Sequence, residues 1–429
     1  MLLEPVHKVQ RKKRQLKKKR LLLLGCLLAI TTCVAIRQQA PNNTHTTTHE
    51  LTANAANVHP QAPAVPLSPP APPAVAARAW ILMDANSNAI LAQHNAHLPL
   101  PPASTTKVMT LYVLNKKMQQ DNIPDTLKTR VSKQAVNSVG KGGSRMWLKA
   151  GQMVSLRDLK LGIAVHSGND ATVAAAEAVA GTESHFVHFM NRTAKQLGLH
   201  HTHFQNTSGL SVPQHVSTAY DLALLTQAFI RDFPHEYKIF KKKCFTYQGR
   251  TDCVTNFLLW EDPSVDGVKT GRESDAGYCL IASAKRKQMR LISVVLNTKS
   301  RRARVDESKK LLEYGFRHYN TLTLAQAGKT LAKPRCWLSQ SKHVAAGVNK
   351  PIILTLPRLA QKRLHTHMQF HEPLTAPVQQ GDPLGTFIVT LDGRLKAQHP
   401  LIALESIPKA GPFTQVKDRI YLSLQGLFR

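Results

Sequence analysis

Acidic residues are scarce in this chain: 26 Asp and Glu stand against 57 Lys and Arg. A surface so short of carboxylates disfavours cationic partners and favours polyanions. Aromatic residues are also few, at 6%, and no nucleic-acid-binding motif is present. That speaks against nucleic acid and for anionic lipid or cell-wall polymer, with a plain solvated basic surface as the bland alternative; the N-terminus then decides among the polyanions. Long apolar runs are missing as well. The run Leu21–Ile36 is 16 residues, short of the roughly 20 needed to cross a bilayer comfortably. Cysteine is sparse, with six in 429 residues.

What is present at the N-terminus accounts for two of those cysteines. The basic stretch "KVQRKKRQLKKKR" runs into the uncharged "LLLLGCLLAITTCVAI", which holds Cys26 and Cys33. This is the n-region and h-region of an export signal. Residues 1–36 are therefore expected to be a signal peptide or signal anchor, and both outcomes stay open. "LLGC" at 23–26 has the look of a lipidation box, but only two residues of the apolar run precede that box, so lipidation is not expected. Export implies an oxidising compartment. Cys244, Cys253, Cys279 and Cys336 then remain, with three pairings open. Cys244 and Cys253 flank "FTYQGRTD", which reads as a hairpin they could bridge. Cys279 sits in a strand pattern and reads as a buried thiol.

Residues 37–77 are rich in Pro, Ala, Thr and Asn and read as an extended linker. His45 and His49 lie within it, without a helix to bring them together. Patterned sequence starts at Arg78. "AWILMDANSNAILAQ" reads as strand, turn, strand. Helical patterns follow, several with their own signals: Ser155 with Asp158 is a capping box, and Gly181 and Gly198 close two helices. Strand patterns return at 244–248, 251–256, "VDGVKTG", "GYCLIASA" and "MRLISVVLN", before a final helix, "RVDESKKLLEYGFRHY". Strands at both ends with helices between argue for an antiparallel sheet covered by helices, an α+β fold over residues 78–320. Residues 321–410 carry short strand patterns, "PIILTLP", "RLHTHMQF", "LGTFIVTLDGR" and "PLIALESIP", and read as a small all-β domain. His365 and His367 share one strand face there and lack a third ligand. In 411–429, Phe413, Val416, Ile420, Leu424, Leu427 and Phe428 recur at three- and four-residue steps. Lys417, Asp418, Arg419, Gln425 and Arg429 fill much of the remainder. This is an amphipathic helix, suited either to docking on its own domain or, as favoured here, to a membrane surface.

The chemistry begins at "PPASTTKVMTLYVL", residues 101–114. Ser104 and Lys107 stand three apart on one helical face, within contact reach. A serine hydroxyl needs a base to become a nucleophile. Lysine can be that base only when neutral. Its reference pKa is about 10.4 and catalytic lysines lie at about 7–8, a drop worth roughly 4 kcal/mol. Burial beside an apolar run and a second nearby cation both act in that direction. Alone, S-x-x-K is a weak signal. Here "HSGN" supplies Ser167 and Asn169 in a break between helices, and "VKTG" supplies Lys269, Thr270 and Gly271 on a strand. Each has a bland alternative: Asn169 as a helix N-cap, Lys269 as a solvated lysine, Gly271 as a close strand approach. The three in order form the combination S-x-x-K, S-x-N and K-T-G, which specifies acyl transfer to serine.

On these motifs, and on "GSRMWLKAGQ", "HFQNTSGL", "STAYDLALL", "IRDFPHEY" and "ESKKLLEYGF", the chain resembles the low-molecular-mass penicillin-binding proteins, the serine D-alanyl-D-alanine carboxypeptidases. The resemblance covers roughly residues 78–429. It implies a penicillin-binding/β-lactamase-like transpeptidase domain, then the small β domain and the terminal helix. It implies that Ser104 is acylated, that Lys107 is its general base and that Ser167 relays the proton to the leaving amine. Asn169 would hold the substrate's backbone amide. Lys269 and Thr270 would bind the terminal carboxylate, and Lys269 would also steady the electrostatics around Lys107 and Ser167. The oxyanion hole would be backbone N–H of Ser104 and Arg272, beside Gly271. The implied substrate is the pentapeptide stem of peptidoglycan, with β-lactams as covalent inhibitors. No cofactor or metal is called for. The expected location is the periplasmic face of the inner membrane. A β-lactamase or a DD-endopeptidase using the same site stays open as an alternative, as does a wall- or lipid-binding protein with a dead site. Between Asn169 and Lys269 no acid sits in the Glu-x-x-Asn setting a class A β-lactamase would need.

Overall fold

A computed structural model describes residues 69–426, with Lys141 excepted. The expected signal at 1–36, most of the 37–77 linker, and Leu427, Phe428 and Arg429 lie outside the described residues. The linker's last stretch is seen: Val75 and Ala77 pack against the core, and Tyr314 Oη donates to the Pro70 carbonyl at 2.8 Å.

The two-residue alternation of the strands builds the centre of the molecule. Strands β1 (Ala79–Asp84), β2 (Ile90–His94), β3 (Val265–Glu273), β4 (Gly277–Arg286) and β5 (Met289–Thr298) form one five-stranded sheet in the order β2-β1-β5-β4-β3. Every neighbouring pair is antiparallel. Successive side chains face opposite sides of a strand, so each strand feeds two cores. Ile81, Met83, Ile281, Ile292 and Val294 point into one. Trp80, Leu82, Leu280, Ala282 and Leu291 point into the other.

Helices cover both faces. The first core receives α1 (Lys107–Gln120), α2 (Asn169–Ala180), α3 (Glu183–Gln196) and α4 (Ala219–Asp232). The second receives α5 (Arg301–His318) through Val305, Leu311 and Leu312. Residues 107–115 of α1 are all buried. A helix apolar on every side belongs inside a core, and this one carries the Ser104 turn at its start. Local capping sets the other entries: Thr218 accepts from Asp221 N, Thr182 from His185 N and Ser155 from Asp158 N. Helix α5 starts at Arg301, three residues before the expected "RVDESKK", because Ser300 accepts from Ala303 N and opens the helix there.

The strand Tyr319–Ala325 continues directly from α5, across the expected 320/321 boundary, and pairs with Ile352–Pro357. Buried Asp84 accepts from Thr321 Oγ1 at 2.6 Å and ties this strand to the β1–β2 turn. Beyond it, a four-stranded sheet orders Ala346–Gly347, Arg394–Ala403, Pro383–Leu391 and Leu364–Phe370. The Arg394–Ala403 strand begins six residues before the expected Pro400. Its first half is mostly exposed and polar, so no apolar alternation announces it. The exposed strand Leu364–Phe370 carries His365 and His367.

Cys244 and Cys253 face each other across the hairpin Cys244–Tyr247/Arg250–Cys253 and are bonded. Cys279 and Cys336 are buried free thiols. Replacing both Cys244 and Cys253 by Ser is expected to lower the unfolding free energy by about 2–3 kcal/mol, the loop-closure value for a ring this short. Urea unfolding reads the change; an unmoved midpoint would mean the hairpin opens independently of the domain.

Candidate active site

Pro101 and Pro102 lead into a tight helical turn, Ala103–Thr106, that opens α1. Ala103 has φ +50°, a left-handed conformation costly for a residue with a Cβ. Two glycines make room for it. A Cβ on Gly209 would strike the Ala103 carbonyl at 1.9 Å, and one on Gly271 would stand 3.0 Å from Ala103 Cβ and 3.2 Å from Ser104 N. Strand β3 thus approaches the serine as backbone. Ser104 sits in the first helical turn, where N–H groups lack intrahelical acceptors.

Lys107 is fully buried. Its Nζ lies 2.9 Å from Ser104 Oγ and donates to Asn169 Oδ1 at 2.8 Å and to the Ser208 carbonyl at 2.6 Å. No carboxylate bonds it. A neutral amine has two N–H groups and one lone pair. The amide and carbonyl acceptors take the two hydrogens, leaving the lone pair for the hydroxyl proton of Ser104. Burial first and the Lys269 charge second hold Lys107 well below its ordinary pKa. Burial, and the Arg304 guanidinium after it, lower Lys269 to about 7.

Ser167 ends a π-type turn, Gly162–His166, in a left-handed conformation with φ +56°. Lys269 Nζ donates to Ser167 Oγ and to the Thr270 carbonyl, each at 3.0 Å. Asn169 begins α2, and its Nδ2 donates to the Val139 carbonyl at 2.9 Å. Both ends of that amide are therefore engaged inside the protein, with Oδ1 turned to Lys107. Ser104, Ser167, Asn169, Lys269, Thr270, Gly271 and Arg272 all line one cleft of about 690 Å³, and Lys107 lies buried behind Ser104. The Arg272 side chain is exposed and lies over the Tyr278 ring at 5.6 Å.

Three participants were not singled out from sequence. Ser208 acts through its carbonyl, which an Asn206 turn fixes by accepting from the N–H groups of Ser208 and Gly209. Arg304 is 2% exposed and donates to the Gly271 carbonyl and to Thr255. Burial, then the neighbouring Arg301, lower its pKa to about 10. Thr255 Oγ1 in turn meets Thr270 Oγ1 at 3.0 Å. A guanidinium this deep with no carboxylate partner is costly unless an anion arrives. The sequence signal was the arginine surplus in "SRRARVD", which reads equally as an exposed helix face.

The arrangement sets a serine hydroxyl beside a dry lysine amine, with a backbone-lined turn and a cationic wall, and such a pair can activate the serine as a nucleophile. That defines a serine acyltransferase or hydrolase whose substrate carries a carboxylate near the scissile carbonyl. Among the described residues, the cleft's two carboxylates, Asp252 and Glu273, bond neither Ser104, Lys107 nor Ser167. The comparisons agree with this class. The family model described as D-alanyl-D-alanine carboxypeptidase matches residues 67–300, and that of the penicillin-binding protein 5 C-terminal domain matches 319–409. The chain is 43% identical to D-alanyl-D-alanine carboxypeptidase DacC of Escherichia coli, over 82% of this chain and 90% of that protein. It is 41% identical to DacA of the same organism, over 82% and 89%. The crystal structure of penicillin binding protein 5 from Haemophilus influenzae superposes with a TM-score of 0.74 at 37% identity, covering 79% of this chain and 99% of that one. This chain belongs to the D-alanyl-D-alanine carboxypeptidase family of low-molecular-mass penicillin-binding proteins.

Removing the like charge at Lys269 should let Lys107 hold its proton more readily. Lys269→Ala is therefore expected to raise the Lys107 pKa, read by NMR titration of its 15N-labelled amine. A titration that does not move upward would leave burial as the only cause of the depression.

Proposed function

We propose that the protein is a serine-type D-Ala-D-Ala carboxypeptidase that removes the terminal D-alanine from peptidoglycan pentapeptide stems. The observation that carries this is the Lys107 amine, fully buried without a carboxylate and 2.9 Å from the Ser104 hydroxyl. Neutral Lys107 takes the Ser104 proton as Oγ bonds to the carbonyl carbon between the two D-alanines. Backbone N–H groups of Ser104 and Arg272 receive the oxyanion; one such donor is typically worth about 3–4 kcal/mol. The C–N bond then breaks, and the leaving amine takes a proton through Ser167. Water hydrolyses the resulting ester. Lys269 and Thr270 hold the terminal carboxylate, with Thr255 and buried Arg304 behind them. Asn169 fixes the base through Oδ1 and presents its remaining N–H to the substrate amide. A β-lactam enters the same path because its strained amide and carboxylate mimic the D-alanine pair.

Residues 78–320 form the catalytic domain in this proposal, 321–410 the β domain and 411–429 the membrane-association helix, after an N-terminal signal and linker. The protein is exported and works at the periplasmic face of the inner membrane. The exposed apolar stripe of the helix Pro412–Gly426 supports this: Phe413 is 92% exposed, and Val416, Ile420 and Leu424 follow it on the same side. Tyr421, stacked on Trp337, Asp418, accepting from Leu338 N, and Gln415, donating to the Ala410 carbonyl at 2.7 Å, tie its other side to the β domain. Among the described residues no helix is long and apolar enough to cross a membrane.

Intact-mass analysis of the protein with penicillin should show one covalent adduct, and a pentapeptide should release D-alanine. Ser104→Ala is expected to lose both completely, and retained labelling by a fluorescent penicillin would refute the assignment. Deleting residues 411–429 is expected to release signal-processed protein from membranes. Undiminished retention would place the anchor at the N-terminus instead.

A further inference from the structure

The rim of the cleft holds an aromatic ring that the acylation chemistry does not use. Trp147 is 45% exposed, with its backbone at φ +65°. A tryptophan is costly in that conformation and in water. Its exposure is built. Buried Asp170 accepts from Met146 N at 2.8 Å and from Leu148 N at 3.1 Å, gripping the residues on either side of it. Asp170 follows Asn169, which touches the catalytic amine. The ring is therefore fixed in register with Lys107.

Two guanidiniums lie over this ring, Arg145 at 5.0 Å and Arg250 at 4.4 Å. Neither has a carboxylate partner among the described residues. Asp252, the acid on the same hairpin, lies against His166 instead, 3.1 Å from its Nδ1. Two cations at one ring, without an acid to offset them, favour the arrival of an anion. Arg250 comes from the disulfide-closed hairpin, which Gln152 also ties to this loop by donating to Tyr247 Oη at 2.6 Å. Arg145 and Trp147 line the Ser104 cleft, and together with Arg250 they line an adjoining hollow of about 340 Å³. A substrate acylating Ser104 can extend past the ring into that hollow.

We propose that Arg145, Trp147 and Arg250 form a second recognition site, for carboxylates on the part of the substrate that precedes the D-alanine pair. This rests on the carboxypeptidase function proposed above and names the selectivity of the same cleft. The guanidiniums attract the carboxylates, and the indole covers the apolar side of the chain that bears them. The ligand class is an acidic peptide stem, distinguished from a neutral acyl-D-Ala-D-Ala.

The test compares three substrates of the full chain: diacetyl-Lys-D-Ala-D-Ala, a stem pentapeptide with its internal carboxylates free, and the same pentapeptide with those carboxylates amidated. Arg145→Gln combined with Arg250→Gln is expected to lower kcat/KM on the free pentapeptide by about 5–10-fold, the scale of partly exposed charge-assisted contacts. On the other two substrates it should change by less than about 2-fold. Trp147→Ala should lower kcat/KM on both pentapeptides and spare the tripeptide. The wild-type preference for free over amidated pentapeptide should shrink as salt rises. Equal losses on all three substrates, or none on the free pentapeptide, would overturn the proposal. Tripeptide hydrolysis by the wild-type protein is the separate readout of the underlying function: its absence would refute the carboxypeptidase itself.

Discussion

The architecture turns on one hydrogen-bonded amine. In the proposed reaction Lys107 must be dry enough to lose its proton and close enough to Ser104 to take another. A buried ammonium with no bonded counter-charge is expensive, and among the described residues no carboxylate bonds it, Glu273 and Asp170 acting only from a distance. The fold offers two neutral acceptors instead, Asn169 Oδ1 and the Ser208 carbonyl. These satisfy the N–H groups of the uncharged amine and orient its lone pair. The surroundings follow from that need. The all-round apolar helix α1 excludes water behind the lysine. The left-handed turn at Ala103 lifts Ser104 into the cleft, and Gly209 and Gly271 leave the space that turn requires.

Much of this was legible in the sequence because its geometry is local. Ser104 and Lys107 are three residues apart on one helix, so proximity needs no tertiary fold. The alternation of "AWILMD" and "GYCLIASA" gave strands, and the bonded pair Cys244–Cys253 followed from the hairpin between them. What stayed hidden depends on long-range juxtaposition or on backbone. Ser208 contributes a carbonyl, which every residue has, so side-chain identity cannot reveal it. Arg304 reads as one more helix arginine until α5 is laid behind β3 and its guanidinium reaches the Gly271 carbonyl. The start of the strand Arg394–Ala403 was missed because its first half is mostly exposed, and burial is what writes the alternating pattern.

Asn169 shows how a motif and its geometry can differ in emphasis. The family resemblance assigns its amide to the substrate. In the structure one end bonds Lys107 and the other bonds the Val139 carbonyl. The two roles are compatible, since an amide nitrogen carries two hydrogens. Asn169 therefore couples substrate position to base position, and Asp170 extends the same coupling to the loop that carries Trp147.

The shortage of acid in the composition and the neutrality of the base are connected. The cleft concentrates Lys269, Arg301 and Arg304 on one wall, with Arg304 itself buried. Those cations suit a carboxylate-bearing substrate, and one of them, Lys269, also disfavours a proton on Lys107. A bound carboxylate would weaken the second effect by compensating the cations that produce it. Burial does not weaken when the substrate arrives, and substrate binding removes further water. Desolvation, the larger cause of the lowered Lys107 pKa, is thus the one that survives formation of the complex. Arginine at 304 serves this arrangement better than lysine would, because a guanidinium lowered to about 10 keeps its charge at the pH where Lys269, at about 7, is already giving its own away.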